Sequence, residues 1–195
     1  MLGRHSSPSL PAVDRSRRPL RSALVVLALA ACGDATGARP PVPAGALSVA
    51  LSGALAGQYD AEGAQPVPAT GAPATFASAI ASPTFAGRYL VSGFRARDGD
   101  RQDVLNLDLS GVSAPGSYPA AGDLVLGGAG GSALPEQVFR LTAVTVRVTA
   151  LSAARIAGEF SGEAVGGAFP NSFPVPPADT VRLAAGTFDV PIVRP

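Results

Sequence analysis

The sequence predicts an all-β fold, and three features of the chain after Ala46 support that prediction. Apolar and polar residues alternate there with a period of two, which is the side-chain period of a β-strand. Many of the 23 glycines and 19 prolines separate the alternating runs, as turn residues do. No segment after Ala46 shows the period of about 3.6 that indicates a helix. We therefore expect an antiparallel β-sandwich of roughly eight or nine strands.

The first alternating run, from Leu47 to Tyr59, is too long for one flat strand. Gly53 and Gly57 interrupt its apolar face. Glycine often marks a bend or bulge within a strand, so we expect the chain to bend at these two positions. A weaker run follows at Phe76–Ile80.

A hairpin is predicted in the middle of the chain. Two alternating runs, Arg88–Arg97 and Arg101–Leu109, flank the dipeptide Asp98-Gly99. Asp-Gly between alternating runs is the strongest short hairpin signal, because glycine tolerates the positive φ that the turn needs. In the second arm we expect three leucines to face the core, at positions Leu105, Leu107 and Leu109.

Ser117–Gly131 predicts a short strand followed by a flexible connection. The run GGAGG at Gly127–Gly131 is not a phosphate-binding loop, because it has no lysine and no helix follows it.

Three longer strands complete the prediction. Val138–Leu151 changes its apolar phase near Thr142, where we expect a bulge, and Arg155–Val165 continues the alternation. The last strand, Thr180–Val193, changes phase around Gly186. Many of the positions expected to face inward in the chain are Ala or Gly, which fill a tight sandwich or leave a wider structure hollow. The alternative fold is therefore a closed lipocalin-like β-barrel that carries a small apolar ligand.

The chain begins with a basic and then apolar leader. Arginines are concentrated in Arg15–Arg21, and Ala23–Ala31 is an uncharged stretch of nine residues. A membrane-spanning helix needs about 20 apolar residues, so this stretch has the length of a signal-peptide core instead. Arg17-Arg18 partly matches a twin-arginine export signal, but the surrounding residues favour the general secretory route.

The end of the leader, Leu29-Ala30-Ala31-Cys32, resembles the lipobox of bacterial lipoproteins. The resemblance implies cleavage between Ala31 and Cys32 and attachment of diacylglycerol and a further fatty acyl chain at Cys32. It also implies an outer-membrane location, because Gly33 stands where an inner-membrane retention signal has Asp. The alternative is an ordinary secretory leader with an unrelated cysteine.

This interpretation divides the chain into three parts. Residues 1–31 form the signal peptide, 32–45 form the lipidated cysteine with a proline-rich tether, and 46–195 form the all-β domain. The predicted partner is the membrane, reached through the lipid. Nucleic acid is not expected as a partner, since the chain has no lysine and no tryptophan.

The residues after the leader exclude most catalytic chemistry. The one histidine, His5, lies in the leader, and Cys32 is the one cysteine, so histidine dyads and His or Cys metal sites are excluded. We expect no enzyme activity and no cofactor. The expected role is structural or in recognition at the cell envelope.

Three aspartates near the hairpin turn, Asp98, Asp100 and Asp103, form a candidate calcium site. Calcium prefers clustered carboxylates, although this run lacks the terminal glutamate of an EF-hand loop. The alternative is a solvated hairpin tip whose charges are balanced by Arg97 and Arg101.

Two further pairs of residues are candidates for function. Glu159 and Glu163, near Arg155, are either a pair of hydrolytic acids or a solvent-facing charged stripe. Phe169 and Phe173 lie in a proline-rich stretch. They form either a contact patch for a partner or a lid folded onto the core.

The last strands contain a repeated motif. The pattern G-x-F occurs at Gly158-Glu159-Phe160 and again at the start of Gly186–Pro191. Together with the upstream turn Pro115–Pro119, these segments are similar to segments of a loose group of uncharacterised bacterial lipoproteins and secreted β-domains. The resemblance implies a β-fold and an envelope location and assigns no activity.

Overall fold

The computed structural model describes residues 43–66, 73–129, 137–166 and 179–194, all within one compact unit of the chain. These residues form ten β-strands and no helix, so the predicted all-β class is confirmed. The strands are β1 Gly45–Gly53, β2 Gly57–Gly63, β3 Phe76–Ala81, β4 Tyr89–Ala96, β5 Arg101–Leu109, β6 Gly116–Ala129, β7 Gln137–Leu141, β8 Val144–Leu151, β9 Arg155–Gly166 and β10 Thr180–Val193.

The strands pair in the order β2-β1-β10-β3-β4-β5-β6-β7-β9-β8, and β9 also pairs with β10 and β6 with β8. The pairs are antiparallel except β10 with β3, which run parallel where Ile192 and Val193 lie beside Ala79 and Ile80. The expectation of a wholly antiparallel fold is therefore wrong at this position. β10 is longer than β1, and its last residues extend past β1 to reach β3.

The fold is sandwich-like because the β1–β2 hairpin packs its buried face onto β4 at Gly93. A Cβ atom at Gly93 would lie 3.1 Å from Cβ of Ala61 and 3.3 Å from side-chain atoms of Leu47 and Tyr59. The Tyr59 hydroxyl donates a hydrogen bond of 2.6 Å to the carbonyl oxygen of Gly93. The absent side chain of Gly93 thus lets the two layers come together.

One contiguous apolar core lies between the layers of the described strands. The predicted inward leucines of β5 are all fully buried, which confirms the alternation in that strand. Burying a side chain of this size contributes about 1.5–3 kcal/mol. Other fully buried core residues include Val49, Val91, Leu124, Val146, Ile156, Val181 and Val190.

The first predicted run is two strands rather than one bent strand. The chain reverses between Gly53 and Gly57, whose φ angles are 96° and 135°, and β2 returns antiparallel beside β1. Similarly, the expected bulge near Thr142 is a break that separates β7 from β8. These two differences account for a strand count above the predicted eight or nine.

β6 is a long strand of 14 residues, so the prediction of a short strand there is wrong. Gly127, expected in a flexible connection, is buried in β6, and its N–H donates a 2.8 Å hydrogen bond to Oδ1 of Asp103. This long-range bond stabilises a glycine-rich stretch that looks like a loop in the sequence. Residues 130–136 lie outside the described residues.

The buried hydroxyl of Tyr59 makes folding stability depend on alkaline pH. Burial raises the pKa of this phenol well above its ordinary value, although the Arg95 guanidinium acts in the opposite direction. A free phenol loses its proton near pH 10. Above that pH the unfolded chain therefore binds fewer protons than the folded protein, and the free energy of unfolding falls as the pH rises.

We expect Tyr59→Phe to remove this alkaline loss and to cost about 1 kcal/mol at neutral pH, because the bond to Gly93 is lost. Urea unfolding followed from neutral pH to about pH 11 measures both effects. Tyr118→Phe, which removes an exposed hydroxyl bonded to Ala114, serves as the control and should keep the alkaline loss. Equal pH slopes for wild type and Tyr59→Phe would contradict the expectation.

Candidate functional site

The seam between β9 and β10 contains two reciprocal pairs of glycine and phenylalanine. Gly158 lies opposite Phe188, and Phe160 lies opposite Gly186. A Cβ atom on Gly158 would lie 2.7 Å from the Phe188 ring, and one on Gly186 would lie 2.6 Å from the Phe160 ring. Each ring therefore covers the backbone of the opposing strand, which requires glycine at both positions. This contact explains the two G-x-F motifs of the sequence.

A β-bulge lies beside this seam. Two residues of β10, Ala184 and Ala185, oppose the single residue Ser161 of β9, and the register of β1 against β10 shifts at the same place. The predicted change of phase around Gly186 is thereby confirmed. Ala185 has a φ of 50°, the one positive value of a residue other than glycine in the described chain. This conformation costs an L-residue about 1–2 kcal/mol.

An open groove of about 440 Å³ lies over the bulge, between β8, β9 and β10. Hydroxyl groups from all three strands line it, at Thr145, Ser161 and Thr187. Phe160 also lines the groove, although its side chain is almost completely buried beneath Gly186. Bulges are common beside functional sites, where they redirect side chains. Strained backbone often occurs at such sites as well, and this groove combines both features.

An exposed ion pair forms the charged part of the groove. Arg147 Nη1 lies 3.7 Å from Glu159 Oε2, and both side chains are more than half exposed. Such a surface pair contributes about 0–1 kcal/mol to stability. Both side chains can therefore turn toward a bound polar group at little cost. The groove presents a cation, an anion and three hydroxyl groups on one surface.

The glutamates of β9 do not form the close carboxylate pair of a glycosidase. Glu163 contacts Arg182 at 3.6 Å, whereas Glu159 contacts Arg147. Four residues along a strand separate the two glutamates by about 13 Å. The carboxyl groups of a glycosidase lie roughly 5–9.5 Å apart. The arrangement matches the alternative interpretation, a charged stripe that faces solvent.

The three candidate calcium ligands occupy two different environments. Asp98 and Asp100 are exposed at the turn between β4 and β5, whereas the side chain of Asp103 is 1% exposed. Asp103 Oδ2 accepts hydrogen bonds from Arg95 Nε at 3.1 Å and Nη2 at 2.7 Å, and Arg97 lies 3.4 Å from Oδ1. Within the described ranges, no three His, Cys, Asp or Glu side chains are grouped as metal ligands.

Asp103 instead belongs to a buried polar cluster. The Arg95 guanidinium lies 4.8 Å from the centre of the Tyr59 ring and donates a hydrogen bond to the carbonyl oxygen of Gln58. The carboxylate of Asp103 is buried, whereas the Arg95 and Arg97 side chains that pair with it are 34% and 42% exposed and keep contact with water. The acidic residue that the sequence suggested as a ligand therefore joins β5 to β4 and β2.

Four predicted site residues lie outside the described residues. They are the cleavage and lipidation positions Ala31 and Cys32 and the predicted contact residues Phe169 and Phe173. The described residues that precede and follow 167–178 in the chain are joined by a hydrogen bond of 2.7 Å, which the Gly166 N–H donates to the carbonyl oxygen of Asp179.

Sequence reasoning missed the groove itself. It placed Glu159 on an exposed face but did not bring Arg147, Ser161 or Thr187 beside it. The change of phase at Gly186 locates the bulge, but the neighbours of the bulge depend on which strands pair. That pairing joins residues far apart in the chain.

Comparison with known proteins assigns no function to this groove. No protein family matches it, and neither a curated protein nor a solved structure is significantly similar to it. In the part of the chain that the structure describes, no helix is long and apolar enough to cross a membrane.

The strain at the bulge gives a direct prediction. Ala185→Gly should raise the free energy of unfolding by about 1 kcal/mol, because glycine adopts a positive φ without the steric penalty of Cβ. Ala184→Gly, at an adjacent position that is also exposed but has no positive φ, should lower it by about 0.5–1 kcal/mol. Urea unfolding measures both variants. Destabilisation of similar size in both would show that Ala185 is not strained.

Proposed function

We propose that the protein is a non-catalytic lipoprotein of the cell envelope, anchored by lipid on Cys32, and that it acts in recognition. The observation that carries the anchor is the lipobox-like segment Leu29-Ala30-Ala31-Cys32 after a short apolar core. One acyl chain gives only marginal membrane binding, so stable anchoring requires the two or more chains that such cysteines carry. Gly33 favours the outer membrane as the destination.

The start of the β-domain is compatible with this anchor. β1 begins at Gly45, one residue before the start expected from the sequence. The 12 residues from 33 to 44 reach at most about 40 Å when fully extended. A domain on such a tether stays close to the membrane surface.

The groove supports recognition rather than catalysis. Its ionisable side chains are Arg147 and Glu159, which contact each other. Ser161 is a groove hydroxyl that would need a general base to act as a nucleophile, and no histidine follows His5 in the sequence. Hydroxyl groups with one ion pair instead suit binding of a polar, hydroxyl-rich or zwitterionic partner.

The alternative role, transport of a small apolar ligand, requires space between the layers. Side chains of valine, leucine, isoleucine and phenylalanine fill the described interior as one cluster. The groove of about 440 Å³ opens on the outer surface rather than between the layers, and five of its eight lining residues have polar side chains. These observations favour recognition over transport.

The anchor is tested by the mass of the membrane-extracted protein. Wild type should begin at Cys32 and carry the added mass of the diacylglycerol and acyl chains, whereas Cys32→Ser should lack this mass and leave the membrane fraction. Gly33→Asp serves as a matched control, because it should keep the lipid and change only the membrane in which the protein resides. Unmodified wild type in the soluble fraction would overturn the proposed function.

A further inference from the structure

Three large apolar side chains in the described part of the chain are exposed to solvent. They are Ile80, Phe85 and Leu90, with exposures of 44%, 59% and 37%. Ile80 and Leu90 are direct partners in the pairing of β3 with β4, and Phe85 lies in the loop that joins these strands. They therefore belong to one hairpin, and we name them the apolar hairpin patch. Exposed apolar residues that cluster in this way mark interaction surfaces more often than scattered ones do.

The patch lies beside the end of β10. Val193 pairs with Ile80, and the preceding residue, Ile192, donates a backbone hydrogen bond of 2.7 Å to the carbonyl oxygen of Ala154. Ala154 lies in the turn between β8 and β9. A continuous path of hydrogen-bonded backbone thus runs from the patch, across the end of β10, to this turn.

The tether enters the domain at the same end. Arg155, the residue after Ala154, donates a 3.1 Å hydrogen bond from Nη1 to the carbonyl oxygen of Ala44. β1 then runs away from this end, since Ala46 pairs with Asp189 and Gly53 with Val181. The chain that leads back to Cys32 therefore leaves the domain at the end that carries the patch.

The charge at the rim of the patch suits the surface of a lipid bilayer. The Arg88 guanidinium lies 5.9 Å from the centre of the Phe85 ring and forms an ion pair with Asp108, at 2.6 Å between Nη2 and Oδ2. This pair carries no net charge, so contact with lipid does not require anionic headgroups. An aromatic ring with an adjacent guanidinium is typical of residues at the level of the lipid headgroups.

We propose that the apolar hairpin patch rests on the membrane to which Cys32 is anchored, with Ile80, Phe85 and Leu90 inserted at the level of the headgroups. The proposal rests on the proposed function, since the lipid on Cys32 supplies the nearby bilayer. The tether of 12 residues is short enough to hold the patch at that surface. The domain therefore keeps one end toward the membrane and does not rotate freely on its tether.

The chain contains no tryptophan, so one introduced tryptophan reports on its own surroundings. The lipidated, full-length mature protein with Phe85→Trp is reconstituted into vesicles of phosphatidylethanolamine and phosphatidylglycerol. Its emission should shift to shorter wavelength, and lipids brominated on their acyl chains should quench most of it. Leu90→Trp gives a second reporter within the patch and should behave in the same way.

The matched control is Ala56→Trp. Ala56 is exposed in the turn between β1 and β2, where the Ala54 N–H bonds to the carbonyl oxygen of Thr180 at the start of β10. β10 spans roughly 40 Å, so this turn lies far from the residues that border the patch. A tryptophan here should keep the long-wavelength emission of an exposed ring, and brominated lipids should not quench it.

The outcomes separate the two proposals. Unquenched tryptophan at both patch positions, in protein that stays with the vesicles and carries the lipid mass, overturns the contact and leaves the anchor intact. A shift to shorter wavelength that depends on protein concentration and resists brominated lipid indicates that a second copy covers the patch, which also overturns the contact. Protein that lacks the lipid mass and does not sediment with vesicles overturns the anchor and the contact together.

Discussion

Two phenylalanine rings lie on opposite glycines where β9 meets β10, and the rest of the fold is arranged around that contact. The ring of Phe160 covers Gly186, and the ring of Phe188 covers Gly158, with 6.4 Å between the ring centres. A methyl group at either glycine would lie inside the van der Waals distance of a buried ring. β10 also pairs with β1 along one edge and with β3 at its end. β10, which takes part in this contact, therefore joins the layer of the β1–β2 hairpin to the layer that contains β3 and β4.

The bulge and the groove follow from the same contact. Gly186 must face the ring of Phe160, whereas Leu183 earlier in β10 must also face the core. Residues that face the same side of a regular strand lie an even number of positions apart, but Gly186 lies three positions after Leu183. The strand therefore has to accommodate one extra residue between them. Ala185 takes that place at a positive φ, and the groove opens over it. Packing in the core therefore determines the position of the groove on the outside.

Local patterns predicted much of this fold, while contacts between distant residues were not predictable. Alternation identified the inward leucines of β5 and the change of phase at Gly186, because both are properties of a single strand. The sequence suggested Asp103 as a calcium ligand and Gly127 as loop, because the buried contact between them joins residues 24 positions apart. Arg95 was not expected to hold Asp103, because the hairpin register that brings them together depends on the turn. The groove was not predicted either, because its walls come from three strands whose pairing the sequence does not show.

The most direct test of the seam is a double-mutant cycle between Gly186 and Phe160. Gly186→Ala should lower the free energy of unfolding by about 1–3 kcal/mol, because the new methyl group meets the ring. In a Phe160→Leu background the same change should cost less, which gives a coupling energy of about 1 kcal/mol or more in urea unfolding. Costs that add to within about 0.3–0.5 kcal/mol would show that the glycine and the ring do not constrain each other, and the account of the bulge and groove would be wrong.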